Sequence, residues 1–256
     1  MRAIITGASS GIGEALAREL ARRGWDVALL ARRRDLLETL SRELPTKSIA
    51  LPCDVTDAMA VKVAVRQGVE ALSGTFDLAI ANAGVGVPSH ASKFVLADAE
   101  LMMRVNLLGM FNLFDAVIPS MIERRAGRFA GVASIAGLRG LPTSSVYSAT
   151  KSAMQAFLEA SRVELRQYGV GVTTVNPGFV ITAMTQKNRF KMPFLMKVDD
   201  AARVIADGLE RGKRVVEFPR PMSLLMRFAR VVPNAIWDRA VAPYARRKID
   251  MEKTRR

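Results

Sequence analysis

The stretch Arg2-Ala3-Ile4-Ile5-Thr6-Gly7-Ala8-Ser9-Ser10-Gly11-Ile12-Gly13 sets a short β-rich run against a glycine-rich turn. An apolar-periodic segment through Leu16, Leu20 and Ala21 follows, so the order is strand, turn, helix. Glycine at 7, 11 and 13 permits a tight turn and a close approach of backbone to a ligand or another helix. The helix beginning there points unpaired N–H groups and a partial positive charge at the turn, a favourable seat for a pyrophosphate. Ser9 and Ser10 can add hydroxyl donors. The spacing is G-x-x-x-G-x-G, and a plain helix-capping cluster is the simpler alternative.

Outward from this turn, strand-like and helix-like segments alternate. Strands are expected at 26–31, 48–51, 76–81, 128–134, 170–176 and 214–218, with helices at about 33–44, 57–72, 98–125, 145–168 and 199–211 between or after them. Near-continuous apolar strands separated by helices imply a parallel sheet covered on both faces. The expected fold is α/β, a doubly wound, seven-stranded, Rossmann-like parallel sheet in one domain. Residues 1–219 are expected to form this dinucleotide-binding domain, and 220–256 a basic amphipathic, helical C-terminal extension packed on it.

The 256 residues are 50% apolar and 24% charged, which supports one substantial core. Aromatics at 6% are too scarce for a nucleic-acid stacking platform, and no nucleic-acid reading motif is present. Cys53 is the single cysteine and His90 the single histidine, which excludes an intrachain disulfide and a Cys/His metal site. No signal peptide is read at the N-terminus, and no uninterrupted apolar run approaches the roughly 18–20 residues that span a bilayer. A cytoplasmic protein is expected. The net charge is +14, and residues 220–256 carry ten Lys or Arg against three Asp or Glu. Half of the excess therefore sits at one end.

Further motifs follow the glycine turn in order: Ala81-Asn82-Ala83-Gly84, Asn106, Ser134, Tyr147 with Lys151, and Pro177-Gly178. With Thr6-Gly7-x-x-x-Gly11-Ile12-Gly13 this set resembles the short-chain dehydrogenase/reductase family over about residues 2–218. The resemblance implies a nicotinamide-dependent oxidoreductase of the Ser-Tyr-Lys type that interconverts a carbonyl and an alcohol.

The second strand ends Leu30-Ala31-Arg32-Arg33-Arg34, without the carboxylate that would accept bonds from a ribose 2′-hydroxyl. Guanidinium groups bind a 2′-phosphate instead, so NADP(H) is the expected cofactor, with Arg32 the first contact and Arg33 the second. An exposed helix start is the alternative. By resemblance, Asp54 meets the adenine amino group with help from the Val55 backbone, although an Asp after a strand is commonly a turn or cap, as Asp57 is expected to be. Asn82, Ala83 and Gly84 would let the chain pass close to the cofactor, and Pro177, Gly178, Val180 and Thr182 would border the nicotinamide amide.

Tyr147 and Lys151 lie four apart on one helix face. An ammonium there would lower the phenol's pKa from its usual value of about 10, and Lys151 would by resemblance also bond the nicotinamide ribose. Read alone, the two are also an ordinary surface pair. Ser134 ends a strand thirteen residues earlier and would orient the carbonyl and stabilise developing charge. Ser144, Ser145 and Ser148 are assigned capping or loop roles. Asn106 reads either as a satisfied buried amide or, by resemblance, as support for a water chain from Lys151 to solvent.

Phe190, Met192, Phe194, Leu195 and Met196 make the 183–198 loop apolar, which favours a hydrophobic substrate over a sugar, while packing on its own core is the alternative. Leu224, Leu225, Phe228, Val231 and Val232 form a helical stripe, expected to dock on the fold or another subunit, with peripheral membrane contact through 220–256 as the other reading. The long helices at 98–125 and 145–168 resemble the family's dimer surfaces, so a homodimer or homotetramer is expected.

Overall fold

The computed structural model describes residues 1–187 and 192–245. Phe190 and the basic end of the chain, 246–256, lie outside the described residues. Strands β1 (Arg2–Thr6), β2 (Asp26–Ala31), β3 (Ser48–Pro52), β4 (Leu78–Ala81), β5 (Arg128–Val132), β6 (Gly171–Pro177) and β7 (Val215–Phe218) form one sheet. Its order is β3-β2-β1-β4-β5-β6-β7 and every pairing is parallel. Chain order reverses between β1 and β4, so a crevice opens above the carboxyl ends of these two strands.

Helices α1 (Gly11–Arg22), α2 (Arg34–Glu43) and α7 (Val198–Glu210) belong to one apolar layer, built on Leu16, Leu20, Leu37, Ile205 and Leu209 with Ile5, Leu29 and Val175 of the strands. The opposite layer contains α3 (Ala58–Ala71), α5 (Gly109–Glu123) and α6 (Ser145–Glu164), with Val61, Leu113, Val117, Met154 and Leu158 packed against Ile4, Leu30 and Phe129. Burial of both sheet faces accounts for the unbroken apolar runs of the strands. Asp57 caps α3 by accepting from the Ala60 amide at 2.9 Å, as its position predicts.

The helix expected over 98–125 is divided. Leu96–Met102 (α4) passes through a π-helical segment, Met103–Leu108, into α5. The wider turn carries Asn106 into the interior, where it is wholly buried. The uninterrupted-run criterion also missed this region. Over Leu96–Glu123 the mean hydropathy reaches 1.5 in its most apolar window, enough by length and composition to cross a bilayer. Met102, Met110, Leu113, Val117 and Met121 are instead buried in the helical layer over the sheet.

The charged network between α1 and α7 has no motif in the sequence. Arg23, just past α1, reaches Glu19, Asp207 at 2.8 Å and Glu210 at 2.7 Å, and Glu210 also accepts from the Trp25 indole. Two further helices, α8 (Arg220–Val231) and α9 (Asn234–Ala245), follow β7. The stripe expected to dock on the fold or another subunit does not pack on the fold. Met222, Met226 and Ala229 of α8 are buried, with Met222 and Met226 against Ile135, Leu138, Leu141 and Phe179, while Leu224, Leu225, Phe228 and Val231 face solvent. The unbranched methionines fit the irregular loop surface beneath them.

Candidate active site

Gly7 and Gly11 adopt φ of +69° and +60°, the left-handed region that glycine occupies without strain. A Cβ on Gly7 would lie 2.8 Å from the Ala83 Cα, and one on Gly13 would strike the Gly7 carbonyl. The turn is therefore closed against β4 and leaves its open side toward the crevice. Ser10 is the N-cap of α1 but its side chain makes no capping bond. The first-turn amides accordingly have no side-chain acceptor from the cap, and they point toward the turn. Positive φ, a cradle that admits no Cβ and uncapped amides together fit a pyrophosphate.

Asn82 builds this cradle from behind. Its amide donates to the carbonyls of Thr6 at 3.0 Å and Gly7 at 3.4 Å, while Thr6 Oγ1 accepts from the Asn82 and Ala83 N–H groups. The two strand ends at the crevice are thus stapled together. Asp54 Oδ1 accepts from the Thr56 amide and hydroxyl, both at 2.9 Å, in a turn of its own. The Val55 carbonyl is held by Asn112 at 2.8 Å, and its side chain lies where a Cβ on Gly109 would fall. Asn112 is a supporting residue with no motif to announce it.

The two arginines expected to meet a 2′-phosphate are placed differently. Arg33, not Arg32, turns to the glycine loop and donates to Ser9 Oγ at 3.0 Å and Ser10 Oγ at 2.9 Å. Arg32 is exposed at the end of β2 and has no hydrogen bond to a described residue. Each serine accepts from Arg33 and keeps its own proton to donate.

Ser134 leaves the sheet just beyond β5 and starts a short 3-10 turn, its Oγ accepting from the Ala136 amide at 3.1 Å. The strand stops two residues before its expected end because the chain turns here. Tyr147, on the first turn of α6, lies close enough to Ser134 for the serine to influence its phenol, while Ser134 Oγ itself donates to Pro177 O at 3.4 Å. Burial pushes the phenol above its ordinary pKa, and the nearby Ser134 pulls it partly back. One turn on, Lys151 is 4% exposed and donates to the Val132 carbonyl at 2.8 Å. Its Nζ is 5.8 Å from the Tyr147 ring centroid. Burial brings the amine down to about 7. The expectation that Lys151 lowers the phenol's pKa is therefore corrected, because desolvation dominates at both groups.

Asn106 is a fully engaged amide. It donates to Val85 O at 3.0 Å and Thr150 Oγ1 at 3.1 Å, and accepts from Val85 N at 2.7 Å. It thereby ties the chain after β4 to α6. A Cβ on Gly84 would sit 3.3 Å from Asn106 Oδ1, a tight fit, and 3.6 Å from Lys151 Nζ, so the chain passes close to both side chains here. Gln155, one turn after Lys151, donates to Ser134 O at 2.7 Å and Asn176 Oδ1 at 2.9 Å. Asn176 donates on to Glu217 at 2.9 Å, which also accepts from Arg227 at 2.8 Å. This chain of contacts was not foreseen. A Gln one turn past the Tyr–Lys pair is the one signal the sequence offered.

Gly178 N donates to Phe218 O at 2.7 Å, fixing the bend after β6. Val180 bridges Met196, and Thr185 Oγ1 donates to Val180 O at 2.6 Å and accepts from Thr182 N at 2.9 Å. The Thr182 methyl is the nearest atom to a Cβ built on Gly11, at 3.3 Å, so this turn closes over the glycine loop. Met196 packs against the core and is withdrawn from the substrate side, whereas Phe194 and Leu195 are exposed. Met184 and Tyr147 both border Gly86. His90 Nδ1 accepts from Ser92, and Nε2 is 3.0 Å from Ala245 O, which fixes the end of α9 beside this loop. Ser145 and Ser148 bond Ser89 and the Leu141 amide, the loop roles expected of them.

Arg139, in the loop between Ser134 and Tyr147, holds the C-terminal helices. It donates to the carbonyls of Ala229 and Val232 and to Asn234 Oδ1, and its guanidinium lies 4.8 Å from the Trp237 ring centroid. A cavity of about 540 Å³ opens between this loop and α9, and its lining includes neither Ser134 nor Tyr147.

The sequence matches the short chain dehydrogenase family over residues 1–192. It is 40% identical over 241 residues to an uncharacterized oxidoreductase of Myxococcus xanthus, covering 93% of this chain and 95% of that one. The fold superposes on a short chain dehydrogenase/reductase from Burkholderia phymatum in complex with NAD, with a TM-score of 0.82 and 22% identity over 88% of this chain and 91% of that one. It also superposes on a 3-ketoacyl-(acyl-carrier-protein) reductase from Brucella melitensis complexed with NADH, with a TM-score of 0.80 and 25% identity over 87% and 98%.

Proposed function

This chain belongs to the short-chain dehydrogenase family and is an oxidoreductase, and we propose that it interconverts a hydrophobic carbonyl and its alcohol using NADP(H). The observation that carries the reading is the grouping of Ser134, Tyr147 and Lys151, with Lys151 Nζ 5.8 Å from the Tyr147 ring and beside Gly84, in a chain whose glycine turn fits a pyrophosphate. Gly7 and Ser9 to Gly13 would hold the pyrophosphate, and Asp54 with Val55 the adenine. Lys151 would hold the nicotinamide ribose, and Pro177, Gly178, Val180 and Thr182 the carboxamide.

When bound, the reduced nicotinamide supplies a hydride to the carbonyl carbon. Ser134 donates a hydrogen bond to the carbonyl oxygen and steadies the charge that gathers there. Tyr147 passes its phenolic proton to that oxygen, completing the alcohol. Burial holds the phenol in its acid form, the state that reduction requires. In the oxidative direction the phenolate form of Tyr147, reached by losing its proton to solvent, would take the hydroxyl proton.

The preference for the phosphorylated cofactor rests on the arginines after β2 and the lack of a carboxylate there. The relatives complexed with NAD and NADH bind their own cofactors and leave this preference to experiment. Exposed Phe194, Leu195 and Met184 favour an apolar substrate, as does the acyl-chain chemistry named for the Brucella relative. A groove of about 350 Å³ lined by Phe111, Phe114, Ile118 and Phe157 on α5 and α6 supports the proposal of a homodimer or homotetramer.

The test is NADPH and NADH oxidation with a panel of hydrophobic ketones and aldehydes. Tyr147→Phe should lower turnover by about a hundredfold or more. Equal turnover in both proteins would remove the mechanism, and equal use of NADH would remove the cofactor preference.

A further inference from the structure

Helix α8 is apolar on two opposite sides. Its inner side packs Met222 and Met226 on Ile135, Leu138, Leu141 and Phe179. Its outer side presents Leu224, Leu225, Phe228 and Val231 at 57–75% exposure. At 100° per residue these four fall within one sector of the helix, and Arg220, Arg227 and Arg230 line one flank of it. A helix of a water-soluble fold places polar residues on that side. Four adjacent exposed apolar residues of this size form the kind of patch that marks an interaction site.

The charge identifies the partner. Among the described residues from 220 onward, Arg220, Arg227, Arg230 and Arg239 face a single acid, Asp238, and the whole segment to 256 carries ten basic residues against three acidic. Glu217 engages Arg227 at 2.8 Å, yet the Arg227 side chain remains 60% exposed. Two such segments brought together in a dimer would repel. A sheet of anionic headgroups over an acyl interior satisfies both the arginines, which can extend their charge to the headgroups, and the apolar sector.

The helix is also ready-made for docking. Arg139 caps the last carbonyls of α8 and stacks on Trp237 of α9, so the surface is held without lipid and association costs little ordering. We infer that the outward face of α8 is a docking surface for an anionic lipid bilayer. Leu224, Leu225, Phe228 and Val231 enter the interface, and the flanking arginines meet the headgroups.

The experiment is co-sedimentation of the full-length chain with phosphatidylcholine vesicles containing or lacking phosphatidylglycerol. Retention is expected on the anionic vesicles alone, declining as salt is raised. The pair Leu225→Glu/Phe228→Glu, at exposed positions, should weaken retention by about tenfold or more with the thermal midpoint unchanged. Should that pair fail to fold, Arg220→Gln/Arg230→Gln, which leaves the apolar sector intact, should also reduce retention on anionic vesicles. No retention, equal retention on neutral vesicles, or equal retention of wild type and folded variants would overturn the inference. So would a glutamate pair that dissociates a lipid-free oligomer, which would assign the face to a second copy.

Discussion

Gln155 donates from α6 to the carbonyl oxygen of Ser134 at 2.7 Å. The second N–H of the same amide reaches Asn176 Oδ1 at 2.9 Å, so one side chain sets the ends of β5 and β6 relative to the helix that bears Tyr147. Gln155 is a positioning residue in this arrangement. Its contact determines where the Ser134 hydroxyl stands when Tyr147 releases a proton.

Gln155→Leu keeps the volume and removes both bonds. It should lower kcat by about tenfold while the KM for NADPH changes little, because misplacement acts on the reacting geometry and not on the glycine turn. Gln155→Glu, which retains an acceptor where a donor is needed, should not restore kcat. A proportional rise in KM without a fall in kcat would remove the positioning role.

Arg33 bridges Ser9 and Ser10, whereas Arg32 makes no bond to a described residue. Arg33→Ala should raise the KM for NADPH by about tenfold or more and leave that for NADH nearly unchanged, as expected for loss of a charge-assisted contact to a phosphate. Arg32→Ala measured alongside decides between the two arginines. Equal effects on both cofactors would mean that Arg33 only shapes the loop.

Lys151 has its amine brought from an ordinary 10.5 down to about 7 by burial. The folded state therefore binds fewer protons than the unfolded state between those two values, and stability rises with pH across that window. The cofactor-free protein should gain thermal midpoint from about pH 7 to about pH 10 relative to Lys151→Met, which lacks the titrating amine. Parallel midpoint curves for the two proteins would contradict the assigned burial.

Arg23 faces Glu19, Asp207 and Glu210 with its side chain 17% exposed. Arg23→Ala should destabilise the fold by about 1–3 kcal/mol in urea unfolding, because among the described residues the 9%-exposed Glu19 side chain keeps only Arg22 as a cationic partner. Activity measured well below the unfolding midpoint should be unaffected. A loss under about 0.5 kcal/mol would place the cluster among ordinary surface ion pairs.

The alternation of apolar strands and helices was enough to determine the parallel seven-stranded sheet, because each strand buried on both faces must be apolar throughout. The glycine turn and the Tyr147–Lys151 spacing were equally legible, since both are local: one depends on backbone freedom at three positions, the other on helical period. Side-chain direction across long sequence separations was not. The tertiary structure turned Arg33 instead of Arg32 to the serines, and placed Gln155 between Ser134 and Asn176. It withdrew Met196 into the core and set Leu224, Leu225, Phe228 and Val231 outward. Period identifies a stripe on a helix, but the surface beneath decides which stripe is buried. In α8 that surface, formed by Ile135, Leu138, Leu141 and Phe179, received the methionines. The pKa values of Tyr147 and Lys151 were beyond the sequence for the same reason, because they follow from how much water the assembled fold excludes.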